Sequence, residues 1–234
     1  MNFRELAAGL AGKFLVLDGP DGAGKSTQLN RLASRLRDAG APLTLCRDPG
    51  GTVIGDRIRS LLLDHDLSEM QVNCETFLFM ASRAQLVGEI IRPALAAGST
   101  VLCDRFISST CAYQGAAGYD PQRVIDLARF AIEDCWPDAT LVLDVEVEEG
   151  FQRIARSPEH ALKHRQRQLE GGADFDDRGL DAMEARPLDF HRNVRQLFLD
   201  LHRYYPTPVV MVDGRCDPDT VHQRVLDALA ARTW

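Results

Sequence analysis

The chain has 234 residues, a hydrophobic fraction of 45% and a formal net charge of -7. That length and composition suit one large α/β domain, or a domain with a small appendage, and exclude a disordered or fibrous chain. The acidic balance argues against a broad nucleic-acid surface, and no apolar run approaches the roughly 18 residues that cross a bilayer.

In chain order, Leu6-Ala7-Ala8-Gly9-Leu10-Ala11 is short for a signal-peptide core and follows Arg4 and Glu5, so residues 1–12 read as a loose N-terminal arm. A first strand is expected at 13–18 and a helix at 25–39, where Leu29, Leu32, Ala33 and Leu36 recur at helical spacing. Between them, Gly19-Pro20-Asp21-Gly22-Ala23-Gly24-Lys25-Ser26 fits G-x-x-x-x-G-K-[ST], the phosphate-binding loop. The amides of Gly19 and Asp21 to Gly24, continuing through Lys25, Ser26 and Thr27 into the helix, can surround a polyphosphate such as that of ATP. Lys25 can reach the β- and γ-phosphates, and Ser26 can ligate Mg²⁺, with Asp21 or Asp104 behind it. A glycine-rich turn that binds nothing is the alternative, and the complete motif between strand and helix argues against it.

Further strands are expected at 42–47, 99–103, 139–145 and 207–213, and helices at 53–63, 71–97, 121–134, 148–156, 184–204 and 217–232. The strands are continuous apolar runs, as in parallel strands covered on both faces. This alternation predicts a P-loop NTPase fold: a doubly wound, parallel, five-stranded sheet flanked by helices, with ligands at the carboxyl ends of its strands. Residues 157–182 break the pattern. They are polar, carry both charges and read either as a lid over the site or as an insertion without a role. Cys46, Cys74, Cys103, Cys111, Cys135 and Cys216 form no C-x-x-C pair and are expected to be reduced thiols of a cytoplasmic protein. His160 and His164 are four apart with nothing nearby to complete a metal site.

The N-K-x-D motif with which GTPases recognise their base is absent. Asp104-Arg105, directly after Thr100-Val101-Leu102-Cys103, points instead to nucleotide and nucleoside kinases. There a carboxylate lies near the P-loop lysine and the metal, while an arginine grips the acceptor phosphate. Two anionic substrates must meet, so fixed cations must offset their repulsion.

With these residues in place, the chain resembles the bacterial thymidylate kinase family over most of its length. The resemblance rests on Gly19–Gln28, Arg47–Gly51 with Ile58-Arg59, Phe77–Gln85, Asp104–Gly115 and Pro137–Val145, in the family's order. It implies a single kinase domain over 1–234 with a lid at 157–182. It also implies ATP and dTMP as substrates, Mg²⁺ as cofactor, a role in dTTP synthesis, and a homodimer through apolar helix faces within 53–97. Phe79 resembles the aromatic that stacks on thymine and Arg83 the donor to its carbonyl. Their spacing of four puts both on one helical face, although Phe79 alone reads equally well as core. Arg105 resembles the arginine that holds the dTMP phosphate, with Arg47 assisting. Thr110 and Tyr113 match positions that contact base and sugar, and Tyr113 could gate against a ribose 2′-hydroxyl or serve as a half-buried core residue. Asp21 resembles an acidic residue near the sugar 3′-hydroxyl and metal, or else caps its own loop.

Two departures stand out. Asp48 occupies a position where relatives usually carry glutamate. The D-R-x-E of many relatives becomes Asp181-Ala182-Met183-Glu184, so the usual lid arginine is missing. Gly22 also leaves the P-loop without a side-chain cation. Arg153 and Arg156, where the chain enters the lid, are the best-placed replacements, ahead of Arg165, Arg167 and Arg178.

Overall fold

A computed structural model describes residues 2–64, 69–156 and 182–234. Five parallel strands form one sheet in the order β2-β3-β1-β4-β5: β1 (Phe14–Asp18), β2 (Leu43–Arg47), β3 (Thr100–Asp104), β4 (Ala139–Asp144) and β5 (Val209–Asp213). Each lies within two residues of its expected bounds. The central strand β1 is buried throughout, whereas the edge strands β2 and β5 are mostly half-buried.

The continuous apolar runs are sorted by the pleat, because successive side chains point to opposite faces. Phe14 and Val16 of β1, with Val101, Cys103 and Val142, join one core cluster. Leu15 and Leu17, with Leu102, Leu141 and Leu143, join the other. The first face is covered by α4 (Val72–Leu86), α6 (Ile107–Ala116), α7 (Pro121–Ile132) and α9 (Leu188–Asp200). The second is covered by α1 (Phe3–Gly9), α2 (Lys25–Asp38) and α10 (Pro218–Ala230). The remaining helices among the described residues are α3 (Val53–Leu62), α5 (Arg92–Ala96) and α8 (Val147–Ala155).

Four expectations need correction. Residues 1–12 are not a loose arm: residues 3–9 form α1, started by a capping box between Asn2 and Glu5. Leu6, Ala7 and Leu10 are buried in the second cluster. The expected helix 71–97 is interrupted by a π-helical turn, Val87–Ile91. Residues 184–187 precede α9, and 201–203 form a 3-10 turn after it. Helix α6 had no counterpart in the sequence pattern. Residues 157–181, with Arg165, Arg167, Arg178 and the His160/His164 pair, lie outside the described residues. All six cysteines are free thiols, and among the described residues no helix is long and apolar enough to cross a membrane.

Candidate active site

The carboxyl ends of β1, β2 and β3 converge on two adjoining clefts. Residues 21–28 line one of them, together with Asp104 and Arg153. Phe79, Arg83, Thr110, Tyr113 and Gln114 line the other. Asp21, Asp48, Arg59, Arg105 and Glu184 line both, so these five mark the junction.

Gly22 has a φ of +73°, and a Cβ there would lie 2.0 Å from the Gly150 carbonyl oxygen. The P-loop and α8 therefore touch backbone to backbone, which only glycine permits. Helix α2 starts from Gly24 without a side-chain cap, leaving its first amides to serve an anion. Lys25 donates from Nζ to the carbonyls of Gly19 (3.0 Å) and Pro20 (2.7 Å). Burial, reinforced by Arg105, lowers the Lys25 ammonium to about 8, against the opposing pull of Asp21, Asp104 and Asp18. The Ser26 hydroxyl donates to Asp104 Oδ2 at 2.8 Å.

Arg105 sits at φ +66°, an uncommon backbone state for a residue with a side chain and one that recurs at functional sites. Its guanidinium donates to Ser109 Oγ (3.0 Å) and to Tyr113 Oη (3.3 Å), and pairs with Asp21. Tyr113 donates its hydroxyl to Asp21 Oδ2 at 2.5 Å. Burial pushes the Asp21 carboxyl up, but Arg105, Lys25 and the Tyr113 hydroxyl outweigh it and hold it below the ordinary value. Asp18, fully buried beneath, accepts from Ser108, from Ser109 (2.7 Å) and from the Gly19 amide (2.9 Å), which fixes the floor of the junction.

Phe79 and Arg83 share one face of α4 and line one cleft, as their spacing predicts. Arg83 is wholly buried and largely committed to the protein. It donates to Asp48 Oδ2 (2.6 Å), Thr110 Oγ1 (3.0 Å) and the Phe106 carbonyl (3.2 Å). Its Nη1 meets the Met80 sulfur, a weak acceptor, at 3.4 Å. Burial raises the Asp48 carboxyl although Arg83 opposes it. Arg47 stands at the rim of the P-loop cleft, paired with Asp56 at 3.1 Å. Arg153 donates to Glu149 (2.5 Å) and to the Gly214 carbonyl (2.9 Å). Arg156 is exposed at the end of α8 and is not among the residues lining either cleft.

Arg59 and Gln114 are among the lining residues that received no role from the sequence. Arg59 reaches the junction from α3 and donates to the Pro49 carbonyl at 3.0 Å. Gln114 follows Thr110 by four, and that helical spacing was the available signal once α6 was known. Ser26 and Asp104 offer two hard oxygens to one side of the P-loop cleft. Mg²⁺ takes one or two protein oxygens together with phosphate and water, so this pair fits it.

A family model described as "Thymidylate kinase" matches residues 17–225. A protein of Exiguobacterium sibiricum named thymidylate kinase is 42% identical over 206 residues, 88% of either chain. One of Deinococcus radiodurans with that name is 39% identical over 222 residues, 94% of this chain and 98% of the relative. A third, from Nitratidesulfovibrio vulgaris, is 39% identical over 217 residues, 92% of this chain and 95% of the relative.

Proposed function

The chain belongs to the thymidylate kinase family, and from that premise we propose that it phosphorylates dTMP to dTDP with ATP in a Mg²⁺-dependent reaction. It is a nucleoside monophosphate kinase, a transferase with a P-loop fold. The observation that carries the substrate reading is the junction, where Arg105 stands between the P-loop and a cleft lined by Phe79 and Arg83.

In this reading ATP lies in the P-loop cleft with its phosphates on the amides of 22–27, and dTMP fills the other. A dTMP phosphate oxygen attacks the γ-phosphorus. A new P–O bond forms, the β,γ-bridging bond breaks, and its electron pair leaves on ADP. The nucleophile is already ionised near neutral pH, so no general base is required. Lys25 and Arg105 offset the charge that gathers on the transferring group, and alignment supplies much of the rest. Ser26 and Asp104 would hold Mg²⁺, which would neutralise part of the charge on the ATP phosphates. Phe79 stacks on the base, Arg83 Nη1 donates to its O4, and Tyr113 with Asp21 faces the sugar.

kcat/KM is expected to be highest for dTMP among dTMP, dUMP, dCMP and dAMP in a coupled ADP-release assay. A purine monophosphate outperforming dTMP would overturn the reading. Phe79→Ala should raise the dTMP KM about tenfold, from lost stacking on the scale of 1–3 kcal/mol per base. The ATP KM should stay within about twofold; equal losses for both nucleotides would mean a packing defect.

A homodimer is also proposed. Val53, Phe77 and Phe130 are 72%, 55% and 88% exposed on α3, α4 and α7, which pack side by side. Such a run of large apolar side chains suits a second copy of the chain. Sedimentation should give a dimer that Phe130→Glu with Phe77→Glu converts to monomer; an unchanged mass would exclude this face. The free thiols fit a reducing, cytoplasmic location.

A further inference from the structure

Glu75 on α4 is 3% exposed and does not line the clefts, yet it is tied to a residue that does. Its carboxylate accepts from Gln114 Nε2 at 3.2 Å. It also accepts from Arg186 Nη2, just before α9, at 2.8 and 3.0 Å. A carboxylate paired with arginine only accepts hydrogen bonds, so the end of the Gln114 amide facing it must be the NH₂ group. The other end is then a carbonyl oxygen. Gln114 is fully buried, lines the same cleft as Phe79 and Arg83, and its Oε1 has no hydrogen-bond partner among the described residues. A buried acceptor left without a donor is uncommon and costly, which points to a donor supplied by the ligand.

We propose that Glu75 is a specificity-determining, positioning residue. It locks the Gln114 amide so that its carbonyl receives the N3–H of a thymine-type base and opposes the lone pair that cytosine carries at N3. The inference rests on the pyrimidine monophosphate reading above and deepens it. A glutamine side chain alone discriminates poorly, because a half-turn of its amide exchanges acceptor for donor. Beside Glu75 that half-turn would set a carbonyl oxygen against a carboxylate oxygen, two acceptors with no proton between them. Glu75 closes off the orientation that would accommodate cytosine, without touching the base. Arg186 supplies the balancing charge for the buried carboxylate.

The test compares kcat/KM for dTMP and dCMP in the wild type, Glu75→Gln, Gln114→Leu and the double variant, with the ATP KM and melting temperature measured in each. Glu75→Gln keeps the shape but frees the amide to turn. It should lower the dTMP:dCMP ratio about tenfold or more, the scale of one lost or opposed hydrogen bond. Gln114→Leu should lower the ratio at least as far, and the double variant no further than Gln114→Leu alone, since Glu75 acts through Gln114. Glu75→Gln slowing both substrates by one factor would overturn the proposal, as would additive effects in the double variant. Should Glu75→Gln fail to fold, an unchanged ratio in Gln114→Leu overturns it equally. A wild-type protein that prefers a purine monophosphate would sink the activity reading instead, and the two failures are told apart.

Discussion

Lys25→Met is expected to slow single-turnover transfer from ATP about 10³-fold while the protein remains folded. The rate effect follows from position: Lys25 opens α2 and its ammonium is held by the carbonyls of Gly19 and Pro20, inside the cleft where phosphates would lie. Removing one preorganised donor from a developing negative charge typically costs 10²–10³ in rate, and here a full charge goes with it. The stability effect has the opposite sign. Burial, the largest cause, lowers the lysine from 10.5 to about 8, so the folded chain binds that proton more weakly than the unfolded one. Between those values the ligand-free protein gains stability as pH rises, and at neutral pH the buried charge weighs against the fold. Methionine keeps the alkyl stem and removes the charge, so the melting temperature should hold or rise. In the wild type, kcat/KM for ATP should fall above about pH 8, because that ratio reports the free enzyme. Near-wild-type turnover in Lys25→Met would remove the P-loop lysine from the mechanism. A profile flat from pH 7 to about 9.5 would show that its proton is not what the enzyme requires.

The sheet was legible in the sequence because parallel strands buried on both faces are uninterrupted apolar runs, and the P-loop was legible because its glycines and lysine are local. Helix α1 was misjudged although Asn2 and Glu5 form a readable capping box, because Leu6, Ala7 and Leu10 are few and only the fold reveals what they pack on. Helix α6 was hidden for a different reason. Ser108, Ser109 and Thr110 are weak helix formers, and residues 107–108 and 110–114 are all buried, so no polar face remains to show a period. Phe79, Arg83, Thr110 and Tyr113, which line one cleft, were singled out one by one, but Gln114 beside them and the pairings among these side chains were not. Arg83 meets Asp48 from 35 positions away, and Gln114 meets Glu75 from 39. Such links carry no local signal. The sequence therefore singles out candidate side chains and not how many of their donors the protein has already used.

Arg153→Ala is expected to slow single-turnover transfer by about 10²–10³-fold, somewhat below the 10³–10⁵ of a full arginine finger, and Arg156→Ala by less than tenfold. Transfer spreads negative charge over the γ-phosphoryl oxygens, and a cation at P-loop position 22 is sterically excluded. A side chain there would need a left-handed backbone and would drive its Cβ to 2.0 Å from the Gly150 oxygen. The same close approach offers the replacement. It clamps α8 against the P-loop, and Arg153 follows Gly150 by three, on the same helical face. Arg153 lines the same cleft as Lys25 and Ser26, its guanidinium anchored by Glu149 and the Gly214 carbonyl. Arg156, three further on, has run past the cleft to the exposed helix end. Gly150→Ala separates the arginine from its placement. The new Cβ would lie 2.3 Å from the Asp21 carbonyl oxygen, so α8 must shift away from the loop. That variant should reproduce most of the Arg153→Ala loss with the arginine intact. If Arg153→Ala and Gly150→Ala both stay within tenfold of wild type while Arg165→Ala, Arg167→Ala or Arg178→Ala does not, the compensating cation comes from residues 157–181. If no substitution among the five arginines exceeds tenfold, about 1.4 kcal/mol of barrier, then the P-loop amides, Lys25 and Arg105 stabilise the transferring phosphoryl without help from α8 or the lid.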